Sequence, residues 1–196
     1  MNFCNAVNLF CLGGNNLNGT IPKEIAVFEY TEFLNLESNP SLSGPIPESI
    51  NGWAKLATFR ATKCQLTGII PAGIGNLSSL TDLRIDYNIL SGPIPSSIGQ
   101  LSLLANFYAS ENKLSGTVPT ELGKLSRLRI FYVSANQISG SLPSEMAEMT
   151  DLRQVDVSQN DLSSGAENLC NLTSLLVYTS DCYSQLVPLI VAEVNW

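Results

Sequence analysis

The side chains best suited to chemistry in this chain are Arg60, Arg84, Tyr108 and Tyr132, which follow one another at 24-residue steps. A guanidinium grips carboxylates and phosphates through a planar fork of donors, and a phenol adds a stacking face with a polar tip. Both are residue types enriched at binding hot spots. Three carboxylates, Asp82, Asp86 and Glu111, share the neighbourhood, and carboxylate pairs can carry glycosidase-type acid–base chemistry. On a chain of net charge −7, however, solvated carboxylates are expected as surface decoration. The sequence has no histidine, which removes His-based triads, Cys–His nucleophiles and the commonest metal ligand. No zinc-type cysteine spacing and no phosphate-binding glycine loop after a lone strand occurs. The chemistry on offer is therefore non-catalytic binding, with no cofactor and no metal.

What must position these residues is a repeat. The stretch Leu83 to Ile98, LRIDYNILSGPIPSSI, has the frame L-x-L-x-x-N-x-L-x-G-x-I-P-x-x-I, which recurs along most of the chain. Its Asn markers fall at Asn15, Asn39, Cys64, Asn88, Asn112, Asn136 and Asn160, with gaps of 24, 25, 24, 24, 24 and 24 residues. A single fixed period of this length means stacked units that bury a continuous core only together.

The segment before each Asn alternates apolar and variable residues, as a half-buried strand does. Leu34 and Leu36, Phe59 and Ala61, Leu83 and Ile85, Phe107 and Ala109, Phe131 and Val133 point inward, and the residues between them line an open face. Across successive strands the central open column reads Cys11, Asn35, Arg60, Arg84, Tyr108, Tyr132, Asp156 and Thr179. At about 4.8 Å between strands, Arg60, Arg84, Tyr108 and Tyr132 form one ridge, with Phe33, Asp82, Tyr87 and Ile130 around it. Two readings stand for this ridge: a recognition patch, or aromatic residues that merely suit strands beside an Arg84 paired with Asp82 or Asp86.

Each Asn ends its strand, where backbone groups lose ladder partners; a column of carboxamides at Asn15, Asn39, Asn88, Asn112, Asn136 and Asn160 can bond those groups. Cys64 occupies one slot of that ladder, so its coil is expected to be weaker or to use the thiol. Gly19, Gly44, Gly68, Gly92, Gly116 and Gly140 mark a tight reversal. Pro22, Pro47, Pro71, Pro95, Pro119 and Pro143 open a short helical or 3₁₀ return at its first residue. A second short strand is expected just before it. After Asn160, SSGAENLC lacks the Ile-Pro pair, so that second sheet should stop there.

The segments LSGPIPSSIGQLSLL, SGTVPTELGKLSRL and SGPIPESI resemble the plant-type leucine-rich repeat, found in receptor-kinase ectodomains and polygalacturonase inhibitors and also in secreted algal proteins. The resemblance implies an α/β repeat: a right-handed solenoid with a concave parallel sheet, a short second sheet, and 3₁₀ or short helices on the convex side. It implies one domain over 1–196. Residues 1–9 form a partial N-terminal cap, 10–162 about seven repeats of 24–25 residues, and 163–196 a degenerate last repeat with a cap or tail. It further implies recognition of a protein or peptide, or of a glycan, at an extracellular or cell-surface location.

Related proteins carry a longer cysteine-paired N-terminal cap, so Cys4 and Cys11 are read as its remnants and the chain as truncated. Their pairing requires a bend in the intervening chain. No signal segment is visible at the start, and no window reaches the length of a membrane span, although a longer parent could be membrane-attached. Cys170 and Cys182 are read either as a C-terminal cap disulfide, as in the related algal repeats, or as two free thiols. With five cysteines at least one stays unpaired in a monomer, and Cys64 is the candidate. Sequons occur at Asn18, Asn76 and Asn171, the first two away from the inner strands. The acidic charge argues against nucleic acid. Two rival functions remain: a structural solenoid binding ice or a cell-wall polymer through columns such as Ser110, Ser134 and Ser158, and an intracellular scaffold.

Overall fold

The computed structural model describes residues 8–169, 172 and 174–179. Eight short parallel strands, one per coil, form a continuous sheet from Leu9–Cys11 through Asp82–Arg84 to Val177–Thr179. Strand neighbours are consecutive coils, and the register is residue for residue: Asn35 beside Arg60, Arg60 beside Arg84, Arg84 beside Tyr108, Tyr108 beside Tyr132. The repeat length thus maps directly onto strand pairing.

The inward pairs fill the interior as the frame requires. From Leu34 to Val157 they are buried, and in two coils a large member is matched by a small one: Phe59 with Ala61, Phe107 with Ala109. Phe107 and Phe131 stack at 5.8 Å between centroids, and Trp53, also buried, donates its indole N–H to the Ile25 carbonyl at 3.2 Å. In packing this dense a change of coil length has to be taken up outside the core.

The strand-end asparagines form the expected ladder. Asn112 Nδ2 donates to the carbonyl of Ile85 one coil back at 3.0 Å and to those of Ala109 and Ser110 in its own coil at 3.2 Å. Its Oδ1 accepts the Leu90 N–H at 2.9 Å. Asn39, Asn88, Asn136 and Asn160 repeat the pattern. Asn15 does not: it is exposed and its amide donates only to Gly13, because no earlier coil among the described residues offers the carbonyl. The residue before each marker adopts left-handed backbone: Gly14, then Ser38, Lys63, Tyr87, Glu111, Ala135 and Gln159 at φ of 52–67°. Only the first is glycine, so six side chains carry a strained conformation that the adjoining amide bonds hold in place.

Cys64 uses its thiol. Its Sγ donates to the Leu36 carbonyl at 3.3 Å, the bond an Asn amide makes in the other coils. Burial raises its pKa, so it stays a protonated donor. A thiol offers little as an acceptor, and the N–H left over, that of Leu42, turns instead to the Asn39 carbonyl at 2.9 Å. That turn is possible because this coil holds the extra residue between Asn39 and Leu42. Insertion and missing amide compensate one another across neighbouring coils.

The second sheet is present in two pieces, of three and four strands, joined by an isolated bridge between Ile69 and Ser91. It does not stop at Asn160, contrary to the sequence reading: Asp161–Ser164 pairs with Gln137–Ser141. Glycine at 165, with φ of 96°, still makes the reversal, so loss of the Ile-Pro pair does not remove the strand. The prolines sit one residue before the 3₁₀ turns instead of within them, at φ near −70° and extended ψ, as at Pro95 before Ser96–Gln100. Their carbonyls accept the first turn bond, for example from Ile98 at 3.0 Å. These turns stack closely enough that a Cβ on Gly99 would lie 2.5 Å from the Glu121 carbonyl oxygen. Cys11 is disulfide-bonded and Cys64 is free. The pairing of Cys170 with Cys182, the sequon at Asn171, and most of the caps lie outside the described residues. Among the described residues no helix is long and apolar enough to cross a membrane.

Two substitutions test this account by urea melts. Asn112→Ala should cost about 1–3 kcal/mol, and Cys64→Ala at most about half as much, since the Leu42 N–H is already served. Equal losses would contradict the compensation. Ala135→Gly should stabilise by about 0.5–1 kcal/mol, the left-handed penalty less the added freedom of the unfolded chain.

Candidate functional site on the concave sheet

The open face of the eight-stranded sheet carries a line of touching side chains. Asp82 stands between two arginines: Arg60 Nε and Nη2 reach its Oδ2 at 3.0 and 2.9 Å, and Arg84 Nε reaches its Oδ1 at 3.0 Å. Arg60 lies over the Phe33 ring at 5.7 Å, and Arg84 over the Tyr108 ring at 4.6 Å. Tyr108 meets Tyr132 edge to face at 5.3 Å, and the Tyr132 hydroxyl donates to Gln154 Oε1 at 2.6 Å. Phe33, Arg60, Asp82, Arg84, Tyr108, Tyr132 and Gln154 are thus joined across six strands.

This geometry separates the predicted residues. Arg60 and Arg84 keep about a third of their side-chain surface, 31% and 35%, whereas Asp82 keeps 9%. Asp82 is therefore not an accessible carboxylate, as its open-face position suggested. It holds the arginines flat and apart, because a carboxylate wedged between two guanidiniums offsets their mutual repulsion. Tyr108, Tyr132, Phe33 and Ile130 are half-buried. Tyr87 is exposed but stands at the strand-end corner, beside the Lys63 ammonium at 5.7 Å, and is no part of the line. Gln154 had no assigned role in the sequence reading; its signal was the register that places it next to Ile130.

Burial raises the phenol pKa of Tyr108 above its ordinary value, with Arg84 opposing, and raises that of Tyr132, aided by Tyr108 and Asp156. Both stay neutral donors at physiological pH. The serine column is also internally engaged: Ser134 Oγ donates to Ser110 Oγ at 3.0 Å, and Ser158 Oγ to Asp156 Oδ1 at 2.7 Å. Among the described residues no group of three or more His, Cys, Asp or Glu side chains is placed to hold a metal ion. Sequon residues Asn18 and Asn76 are exposed, on the second sheet and at the end of a 3₁₀ turn, away from this face.

Asp86 accepts a hydrogen bond from Thr62 Oγ1 at 2.9 Å. Its pKa is raised from the ordinary 3.8, mainly by burial and further by Glu37, against the Thr62 bond and Arg84. A raised folded-state pKa gives stability that is fully present below the unfolded value and lost as pH climbs through the folded one. Asp86→Asn should therefore melt higher than wild type at pH 7, with the advantage vanishing in thermal melts near pH 3. A variant that melts lower at pH 7 would reverse the assignment.

Against known proteins, residues 79–101 match the model of the leucine rich repeat. No curated protein matches the chain by sequence at a significant level. Among solved structures, the ectodomain of the Arabidopsis receptor kinase HAESA, in complex with an IDA peptide hormone ligand, is similar at 33% identity and a TM-score of 0.72, over 81% of this chain and 26% of that one. The ectodomain of the receptor kinase SOBIR1 from Arabidopsis thaliana is similar at 32% identity and a TM-score of 0.60, over 64% of this chain and 70% of that one. A plant ice-binding protein is similar at 26% identity and a TM-score of 0.71, over 84% of this chain and 61% of that one. The chain spans 24–30% of the length of the longer receptors it resembles. With its repeat frame, its stacked parallel strands and its likeness to these ectodomains, the chain belongs to the plant-type leucine-rich repeat proteins.

Proposed function

We propose that this chain is a non-catalytic recognition module that binds a protein or peptide through its concave face, at an extracellular or cell-surface location. The observation that carries the reading is the preformed line from Phe33 to Gln154. Aromatic and arginine side chains, each held by a neighbour, lose little freedom when a partner arrives. Likeness to receptor ectodomains, one of them solved with a peptide hormone, supports both the ligand class and the location. A glycan is a narrower alternative that the same aromatic faces could stack against.

A second reading, a solenoid that binds ice, draws on the likeness to a plant ice-binding protein. It is the weaker of the two, because ice recognition calls for free hydroxyls in long columns, and here the serine hydroxyls bond one another or Asp156.

The test is retention of secreted peptides by the immobilised protein, read by mass spectrometry, for wild type and for the Tyr108→Ala/Tyr132→Ala variant. A peptide bound by wild type should lose about 30-fold or more in affinity, the effect of removing one hot spot of about 2 kcal/mol, while the fold remains intact by circular dichroism. Peptide binding that survives the double substitution would move the site elsewhere. Ice-recrystallisation inhibition unaffected by the tyrosines would favour the second reading.

A further inference from the structure

The basic residues of this acidic chain are unevenly employed. Arg60 and Arg84 are committed to Asp82, Lys63 stands over Tyr87, and Lys23 lies 4.0 Å from Glu24. Among the described residues Arg129 and Arg153 have no such partner. They occupy equivalent positions in consecutive coils, just before the strands Ile130–Tyr132 and Gln154–Asp156, at the rim of the concave sheet. Their backbones are directly bonded, Arg153 N–H to the Arg129 carbonyl at 2.9 Å. Both are exposed, and among the described residues neither has a carboxylate within 4.0 Å or a side-chain hydrogen bond.

Among the described residues their column offers no carboxylate in the neighbouring coils. The preceding coils place Thr81 and Ala105 there, and the following one places Leu176, which is 66% exposed. Lys124 and Arg127 differ, since one coil later the equivalent positions are Glu148 and Asp151. Like charges directly opposite one another on neighbouring strands destabilise a sheet. Two exposed arginines on directly bonded backbones bring two guanidinium forks within reach of one segment, and such forks take up carboxylates.

We propose that Arg129 and Arg153, with Leu176 beside them, form a rim site for an acidic peptide segment of a binding partner, two of whose carboxylates pair with the guanidiniums. The site is separate from the Tyr108–Tyr132 line and does not depend on that line being the main contact. Because the whole chain is negative, an acidic segment is repelled elsewhere and directed to this rim.

The probe is fluorescein-labelled oligoglutamate, followed by anisotropy at low salt. Wild type should bind it, with affinity falling as salt is added. Arg129→Gln/Arg153→Gln should bind at least about tenfold more weakly and melt no lower than wild type. Lys55→Gln/Lys113→Gln should bind as wild type does. The proposal is overturned if wild type fails to bind, if the arginine variant binds equally, or if the lysine variant loses as much. Equal binding of oligoglutamine, displacement of the peptide by phosphatidylserine vesicles, or a lowered melting temperature of the arginine variant would also overturn it. Loss confined to the tyrosine variant would refute the rim and leave the concave-face reading standing.

Discussion

The structure depends on satisfying the backbone at one corner. Where each strand ends, the chain turns through a left-handed residue and leaves carbonyls and an N–H pointing along the stack, out of reach of water. A single carboxamide per coil closes that account, sharing its two N–H donors among three carbonyls and accepting one N–H, as at Asn112. Because one of those carbonyls belongs to the previous coil, the same side chain that closes a turn also fixes the spacing between turns. The fixed repeat length follows, since a coil longer by one residue misplaces every later partner. The one coil that is longer is tolerated where Cys64 asks for no incoming N–H and Leu42 finds Asn39 instead.

On the opposite side the same spacing is kept by absence of volume. Gly99, Gly75 and Gly123 sit where a Cβ would meet the next coil's backbone at 2.5–2.6 Å or its side chain at 2.5 Å, so the 3₁₀ turns pack with no room for a side chain there. Between the two sides the core is a continuous column, mostly leucine and isoleucine with phenylalanine and valine, into which Trp53, Met146 and Met149 are also packed. In such a quasi-linear stack each coil is stabilised by its neighbours and by little else. The first coil shows the converse, with Phe10, Leu12, Leu17 and Ile25 only partly buried.

Strand register converts this regularity into a surface. Residues 24 apart in sequence become lateral neighbours, which is how Arg84 comes to lie over Tyr108 and Tyr108 against Tyr132. A parallel sheet covered on only one face leaves the alternate positions free to vary without disturbing the core. The scaffold therefore imposes positions and leaves chemistry to the open columns, and the two arginine pairs show how differently such positions are used. Arg60 and Arg84 are locked by a shared carboxylate, while Arg129 and Arg153 have none among the described residues.

The sequence by itself determined the repeat, the strand positions, the inward and outward columns, and the identity of neighbours across coils, because each follows from a period and an alternation. Tertiary structure alone decided which neighbours touch and how. Spacing offers Arg84 as a partner for Asp82 on its own strand, but that Arg60 closes over the same carboxylate from the neighbouring strand and buries it is seen only in the fold. Tyr87 reads as part of the patch until its backbone turns left-handed and carries the ring to the corner. The second sheet outlasts its proline because the reversal rests on Gly165. The compensation between Cys64 and the inserted residue lies between coils, where a frame read one coil at a time has no term for it. Side-chain direction at a strand end and partner choice among several charges within reach are set by three-dimensional packing, and linear spacing does not encode them.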